Sequence, residues 1–308
     1  MSVSTKAADT LEVRALNTRA ASLRGLGFLL VCMLPLALAW SLLAPLFRLV
    51  LENDTFSQIP LIPLVSLFLI WERRKAIFST ISFGGALGAA LIVPGLILAG
   101  VARLDLFHLT STNPMSLLVF AIVVVWVGAF ALFFGARAFW AACFPLLFLL
   151  FMVPIPEPLL SKIIFSLQGG SSDMAEIFFR IAGVPYLRQG FVFQLPGFAI
   201  FVAAECSGIR STLALLITTV LASNMFLTRS WKRAVLCAAV VPLAIFKNGL
   251  RIATLSTLAI YVNPGFLTGR LHHEGGFVFF LIALVPLALL LFWLQKREQR
   301  SQRVAQSA

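Results

Sequence analysis

The chain has 308 residues, 60% of them hydrophobic and only 12% charged, with 24 Lys and Arg against 12 Asp and Glu. A soluble domain is about 45–50% apolar and about 25% charged, so a water-surrounded core cannot hide these side chains and the excess faces lipid. The formal charge of +12 sits in short clusters between apolar runs, which argues against nucleic acid and for topology-setting charges beside an anionic leaflet.

In chain order, residues 1–24 form a polar tail carrying Lys6, Arg14, Arg19 and Arg24. The apolar run Leu26 to Leu51 is too long for a signal-peptide core, so it predicts a retained span. Ile59 to Trp71 is shorter, with Pro60 and Pro63, and spans only if the turn before it sits at membrane depth. Further runs follow at Gly85–Ala102, Ser116–Phe134, Ala138–Pro154, Ser207–Phe226, Ala234–Tyr261 and Gly276–Leu294. None alternates as barrel strands do. The predicted fold is an all-α polytopic bundle of about eight transmembrane helices, one integral membrane domain over residues 1–308.

Positive charge orients it. A cytoplasmic N-terminus also puts Arg73-Arg74-Lys75, Arg137, Arg229/Lys232/Arg233 and the basic tail at 295–308 in the cytoplasm, so both termini share that side. The segment 155–205 is then a long connection on the outer, periplasmic side, far above common loop lengths. It reads as an amphipathic, membrane-hugging stretch at 159–181 and an extended, turn-rich one at 183–196. It serves either as a lid or substrate platform or as interfacial helices completing the bundle.

Three of the four cysteines, Cys32, Cys143 and Cys237, lie within apolar runs, and no spacing suggests a disulfide framework or a zinc site. Cys206 differs: it stands in Ala203-Ala-Glu-Cys-Ser-Gly-Ile-Arg-Ser211, at the outer entry of the sixth predicted helix. Arg251 lies in Lys247-Asn-Gly-Leu-Arg251, in the outer half of the seventh, and His272-His273-Glu274 precedes the eighth. Reactive groups at membrane depth usually face an internal cavity, and these three segments share one depth and one side. A thiol near a helix N-terminus, beside Arg or an imidazole, is set up to lose its proton. Arg can hold an oxyanion or leaving group, and His exchanges protons near neutral pH. Attack on a peptide carbonyl would give a thioester open to an amine, a hydroxyl or water.

Plainer readings stand beside this one. Cys206 can be structural, and Ser207-Gly208 a close helix contact. Lys247, Asn248 and Arg251 can form a polar bundle core or a lipid-headgroup site. The His-His-Glu trio has no second cluster to complete a metal site, so neither metal nor cofactor is expected.

These residues resemble the exosortase/archaeosortase family of membrane transpeptidases. The likeness rests on Cys206-Ser-Gly-Ile-Arg-Ser211, Asn248-Gly-Leu-Arg-Ile252, and His272 followed by Gly276-Phe277 and Phe279-Phe280. It extends to Asn53-Asp-Thr-Phe-Ser57, Ile62-Pro63, Trp71-Glu-Arg-Arg74, Pro145-Leu-Leu, Pro154-Ile-Pro156, Gly183-Val-Pro185 and Leu195-Pro196. The resemblance implies Cys206 as thioester nucleophile, Arg251 as proton donor or leaving-group stabiliser, and His272 as base or transition-state partner. His273 fits the motif one residue less well, and Arg210, Asn248 and Glu205 are supporting residues. Gln58 and Phe277 depart from the family's usual His and Trp, which bears on substrate subclass. The implied substrate is an exported protein with a C-terminal sorting signal of the PEP-CTERM type, transferred to an amine, lipid or polysaccharide-linked acceptor at the inner membrane. The rival is a polytopic transporter or exopolysaccharide-assembly protein that makes no use of the thiol.

Overall fold

The computed structural model describes residues 23–38, 40, 44, 58–104, 112–267 and 276–307, and the chain divides into two compact units, residues 1–157 and 158–308. Among the described residues five helices are long and apolar enough to cross a membrane, or six if Cys143–Met152 and Glu157–Ile181 make one broken span. The chain is therefore a helical, multi-pass membrane protein. The first and second expected spans overlap the shorter apolar helices Leu23–Leu38 and Leu61–Glu72.

In the first unit α1 (Leu23–Leu38) and α2 (Leu61–Glu72) precede α3 (Gly85–Leu104), α4 (Thr112–Ala141) and α5 (Cys143–Phe148). Helices α3 and α4 pack antiparallel through glycines. A Cβ on Gly95 would meet Val125 Cγ2 at 2.8 Å, and one on Gly128 would meet the Ile92 backbone nitrogen at 2.9 Å. Close backbone approach through small residues is how apolar helices associate where lipid offers no hydrophobic drive. The expected boundary between Phe134 and Ala138 appears inside α4 as a break at Gly135, with φ 87° and ψ 171°. There Ser82 N–H donates to Phe134 O at 3.3 Å and Gly84 N–H to Leu132 O at 3.0 Å. Ser66 Oγ donates to Pro145 O at 2.7 Å, tying α2 to α5.

The second unit opens with α6 (Glu157–Ile181), whose buried face is Leu167, Gln168, Ser171, Ser172, Ala175 and Phe179. That spacing is the amphipathic period expected for 159–181. The extended stretch after it folds as a small antiparallel sheet of β1 (Leu187–Gln189), β2 (Val192–Leu195) and β3 (Phe198–Phe201), in that order. Phe193 of β2 is fully buried and packs edge-on against Phe179 at 5.4 Å between ring centroids. Arg188 of β1 bridges back to α6, 2.7 Å from Glu176 and 2.8 Å from Asp173. Bonds from Arg188, Tyr186 and Arg180 hold the Glu176 carboxyl below the usual carboxylate range.

Among the described residues, four α-helices complete the unit: α7 (Ile209–Phe226), α8 (Ser230–Ala238), α9 (Val240–Tyr261) and α10 (Gly276–Ser307). Glu298 of α10 caps α8, accepting the N–H groups of Thr228 at 3.4 Å and Arg229 at 3.1 Å, as the positive end of a helix dipole favours. Buried Lys232 donates to Leu294 O at 3.0 Å.

Candidate active site

After β3 the chain passes through a 3-10 turn, Ala204–Ser207, that contains Glu205 and Cys206, and enters α7 at Ile209. The junction is Gly208, at φ 76° and ψ 17°. That left-handed conformation costs an L-residue roughly 1–2 kcal/mol. A Cβ there would also stand 3.0 Å from Asn248 Oδ1 and 3.5 Å from Lys247 Nζ. The Gly208 carbonyl accepts the Thr212 N–H at 2.9 Å, the Thr212 hydroxyl at 2.8 Å and the Ser211 hydroxyl at 3.0 Å. The first turn of α7 is thereby locked to the residue that follows the Cys206 turn.

Helix α9 supplies the other wall. Lys247 is only 3% exposed, yet it lies in an apolar span, and its Nζ donates to Ser211 Oγ. An ionisable group so placed is expensive and usually functional. Asn248, 1% exposed, donates from Nδ2 to Ser171 Oγ of α6 at 3.1 Å. The two helices cross closely enough that a Cβ on Gly249 would meet Met174 Cβ at 2.6 Å. Arg251 is half-buried one turn beyond Lys247, on the same face by i, i+4 spacing. On the strand side, Gln168 Nε2 donates to Val202 O, holding the exit of β3 against α6. Ser207, next to Cys206, is buried, and its Oγ finds no hydrogen-bond partner among the described residues.

Of the residues singled out from sequence, Asn248 meets the Cys206 turn through Gly208, and Arg251 follows on the same helix face. Arg210 is exposed in the first turn of α7. His272 and His273 lie outside the described residues. Gln168, Ser171 and Ser211 were missed as site residues, and Lys247 was noted only as a polar neighbour of Arg251. A visible signal did exist in Gln168-Gly-Gly-Ser-Ser172, a polar and small run inside an amphipathic stretch. Among the described residues no group of three or more His, Cys, Asp or Glu could hold a metal ion.

The arrangement places the turn that contains Cys206 at the start of α7, with Lys247 and Arg251 on the neighbouring α9. The junction makes a direct prediction. Gly208→Ala is expected to lower the thermal unfolding midpoint more than Gly197→Ala. Both sites have positive φ, 76° and 88°, but only Gly208 has neighbours within 4 Å of the added carbon. Equal shifts in detergent melts would show that the Asn248 contact yields without cost.

A family model described as transmembrane exosortase matches residues 50–289, a stretch that contains the Cys206 turn and helices α6 to α9 in full. No curated protein and no solved structure matches the chain.

Proposed function

The chain belongs to the transmembrane exosortase family, and from that premise we propose that it is a cysteine transpeptidase acting on C-terminal sorting signals of exported proteins. Membership implies a membrane protein that processes sorting-signal substrates. The thiol mechanism, the PEP-CTERM signal type and the residue roles are our reading. The observation that carries it is the meeting of the Cys206 turn with the polar face of α9 at Gly208, where Asn248 and Lys247 approach and Arg251 follows.

In this reading the Cys206 thiolate attacks the scissile carbonyl. The tetrahedral oxyanion collapses, the C–N bond breaks, and the departing amine takes a proton from Arg251 or a group that Arg251 orients. His272, with His273 as the alternative, accepts the proton of the incoming acceptor. The thioester then passes to an amine, lipid hydroxyl or polysaccharide-linked group, or to water. Glu205, Arg210 and Asn248 support the site. The basic clusters favour cytoplasmic termini and a site on the periplasmic face of the inner membrane. A substrate whose apolar helix stops in the bilayer with its basic end cytoplasmic would bring its motif to that face.

The test is co-expression with a reporter ending in a short motif, an apolar span and an Arg cluster. A shortened reporter is expected only when the chain is present. Hydroxylamine added to the reaction should convert the new C-terminus to a hydroxamate, the signature of a thioester. A reporter left intact across signals drawn from proteins encoded beside the chain overturns the proposal.

A further inference from the structure

Among the described residues, the outer edge of β3 is a part of this unit that neither the helices nor the proposed chemistry uses. Register pairs Val192 with Phe201, Phe193 with Ile200, Gln194 with Ala199 and Leu195 with Phe198. Val202 N–H donates to Phe191 O at 2.9 Å, which makes 191/202 a hydrogen-bonded pair. In an antiparallel ladder such pairs alternate. Residues 198, 200 and 202 therefore bond inward to β2, while Ala199 and Phe201 turn their N–H and C=O groups away from it. The sheet order ends at β3, and no strand lies on that side among the described residues. Ala199 and Phe201 are exposed, Phe201 at 62%.

This edge is backed by packed core residues and well placed. Val202 and Leu195 belong to one core with Phe179 of α6 and Ala253 of α9, and Ile200 and Ile252 pack against it. The sheet thus rests on α9 within two residues of Arg251. Gln168 holds the strand exit through Val202 O. The turn bearing Cys206 opens three residues after Phe201, a distance that three extended residues, roughly 10 Å, cover. An exposed strand edge beside a bilayer is costly, because its polar groups find fewer waters than on a soluble protein. It is also a ready template for strand addition, in which main-chain bonds supply affinity.

We infer that the outer edge of β3 is the docking strand for the substrate: an extended peptide segment flanking the scissile bond pairs with Ala199 and Phe201 and is led by the strand into the Cys206 turn. The inference rests on the peptide-cleaving reading above and adds how the substrate is held. Two outward residues allow a paired stretch of three or four substrate residues, recognised through backbone rather than charge. Side-chain selection falls to the neighbourhood of exposed Phe201.

The full-length chain in membranes tests this with two variants at one position. Ala199→Pro removes the outward N–H and no bond of the β2–β3 ladder, a substitution that an edge strand tolerates, while Ala199→Gly keeps it. KM for the reporter is expected to be about five- to tenfold higher for the proline variant than for the glycine variant, the worth of a hydrogen bond or so, with similar kcat. Equal KM values overturn the inference. As a second measurement, a benzophenone side chain at position 201, in a Cys206→Ala background that retains substrate, should cross-link the reporter just beside its motif. Cross-links confined to this chain, to a second copy or to lipid overturn it. If wild type does not cleave the unmodified reporter, the underlying reading falls and this inference with it. Cleavage without the KM difference or the cross-link removes this inference alone.

Discussion

Reporter cleavage is expected to fall to background in Cys206→Ala, the largest effect of any single substitution in this chain. The proposed route has one atom that forms the covalent intermediate, and alanine removes it. Serine is expected to do little better, with turnover reduced on the order of 10³-fold or more. A hydroxyl does not ionise near neutral pH, and neither a helix N-terminus nor facing cations bring it into range as they do a thiol. Cys32 is buried, and Cys143 and Cys237 are partly so; none of them belongs to the Cys206 turn or to α9. A variant lacking all three should therefore process the reporter at the wild-type rate, and alkylation of that variant should block cleavage. Full processing by Cys206→Ala would remove thiol chemistry and advance the transporter or polysaccharide-assembly reading, in which the polar face of α9 lines a path and the thiol is incidental.

Arg251→Ala ranks second. Removing one preorganised donor to a developing charge costs about 10²–10³ in kcat, and the loss is expected there rather than in KM. Arg251→Lys should recover only part of it. The guanidinium presents a rigid fork matched to a planar, two-oxygen partner, and an ammonium on a flexible stem does not reproduce that geometry. Lys247, a turn away on the same face, is no substitute because its ammonium is engaged by Ser211 Oγ. The comparison is made in steady-state kinetics on purified membranes, with the melting midpoint measured alongside. A rise in KM with kcat intact would make Arg251 a substrate-holding residue and move the proton-donor role elsewhere.

Much of the outline was legible in advance. The α3 and α7 spans appear within two residues of their apolar runs, because lipid exposure leaves a long unbroken hydrophobic stretch that needs no knowledge of neighbours. Helix α9 starts six residues late, and α10 runs thirteen residues past Leu294 into the basic tail. The break at Gly135 was signalled by the polar interruption of Gly135, Arg137 and the small residues beside them. The amphipathic α6 was readable too, since its buried face repeats at helical period. The third strand was not foreseen. Phe198-Ala-Ile-Phe201 is apolar throughout and runs almost directly into another apolar segment, so nothing local separates a short strand from the approach to a helix.

The residues around the candidate site divide along the same line. By itself the sequence determined that this chain spans a membrane several times, and it marked Cys206, Asn248 and Arg251, through short motifs and polar residues set at the ends or depths of apolar runs. Those are local signals, carried by neighbours in the chain. The tertiary structure alone decided that Lys247 reaches Ser211 across 36 residues of sequence, that Asn248 reaches Ser171 across 77, and that Gln168 pins the exit of β3 across 34. Each of these bonds depends on where two helices, or a helix and a sheet, cross and on the rotation of each about its axis. Crossing points here are set by glycines 170 and 249, where a side chain would strike the partner helix. Periodicity records which face of a helix is buried; it carries no information about which buried polar groups will face each other once the faces meet.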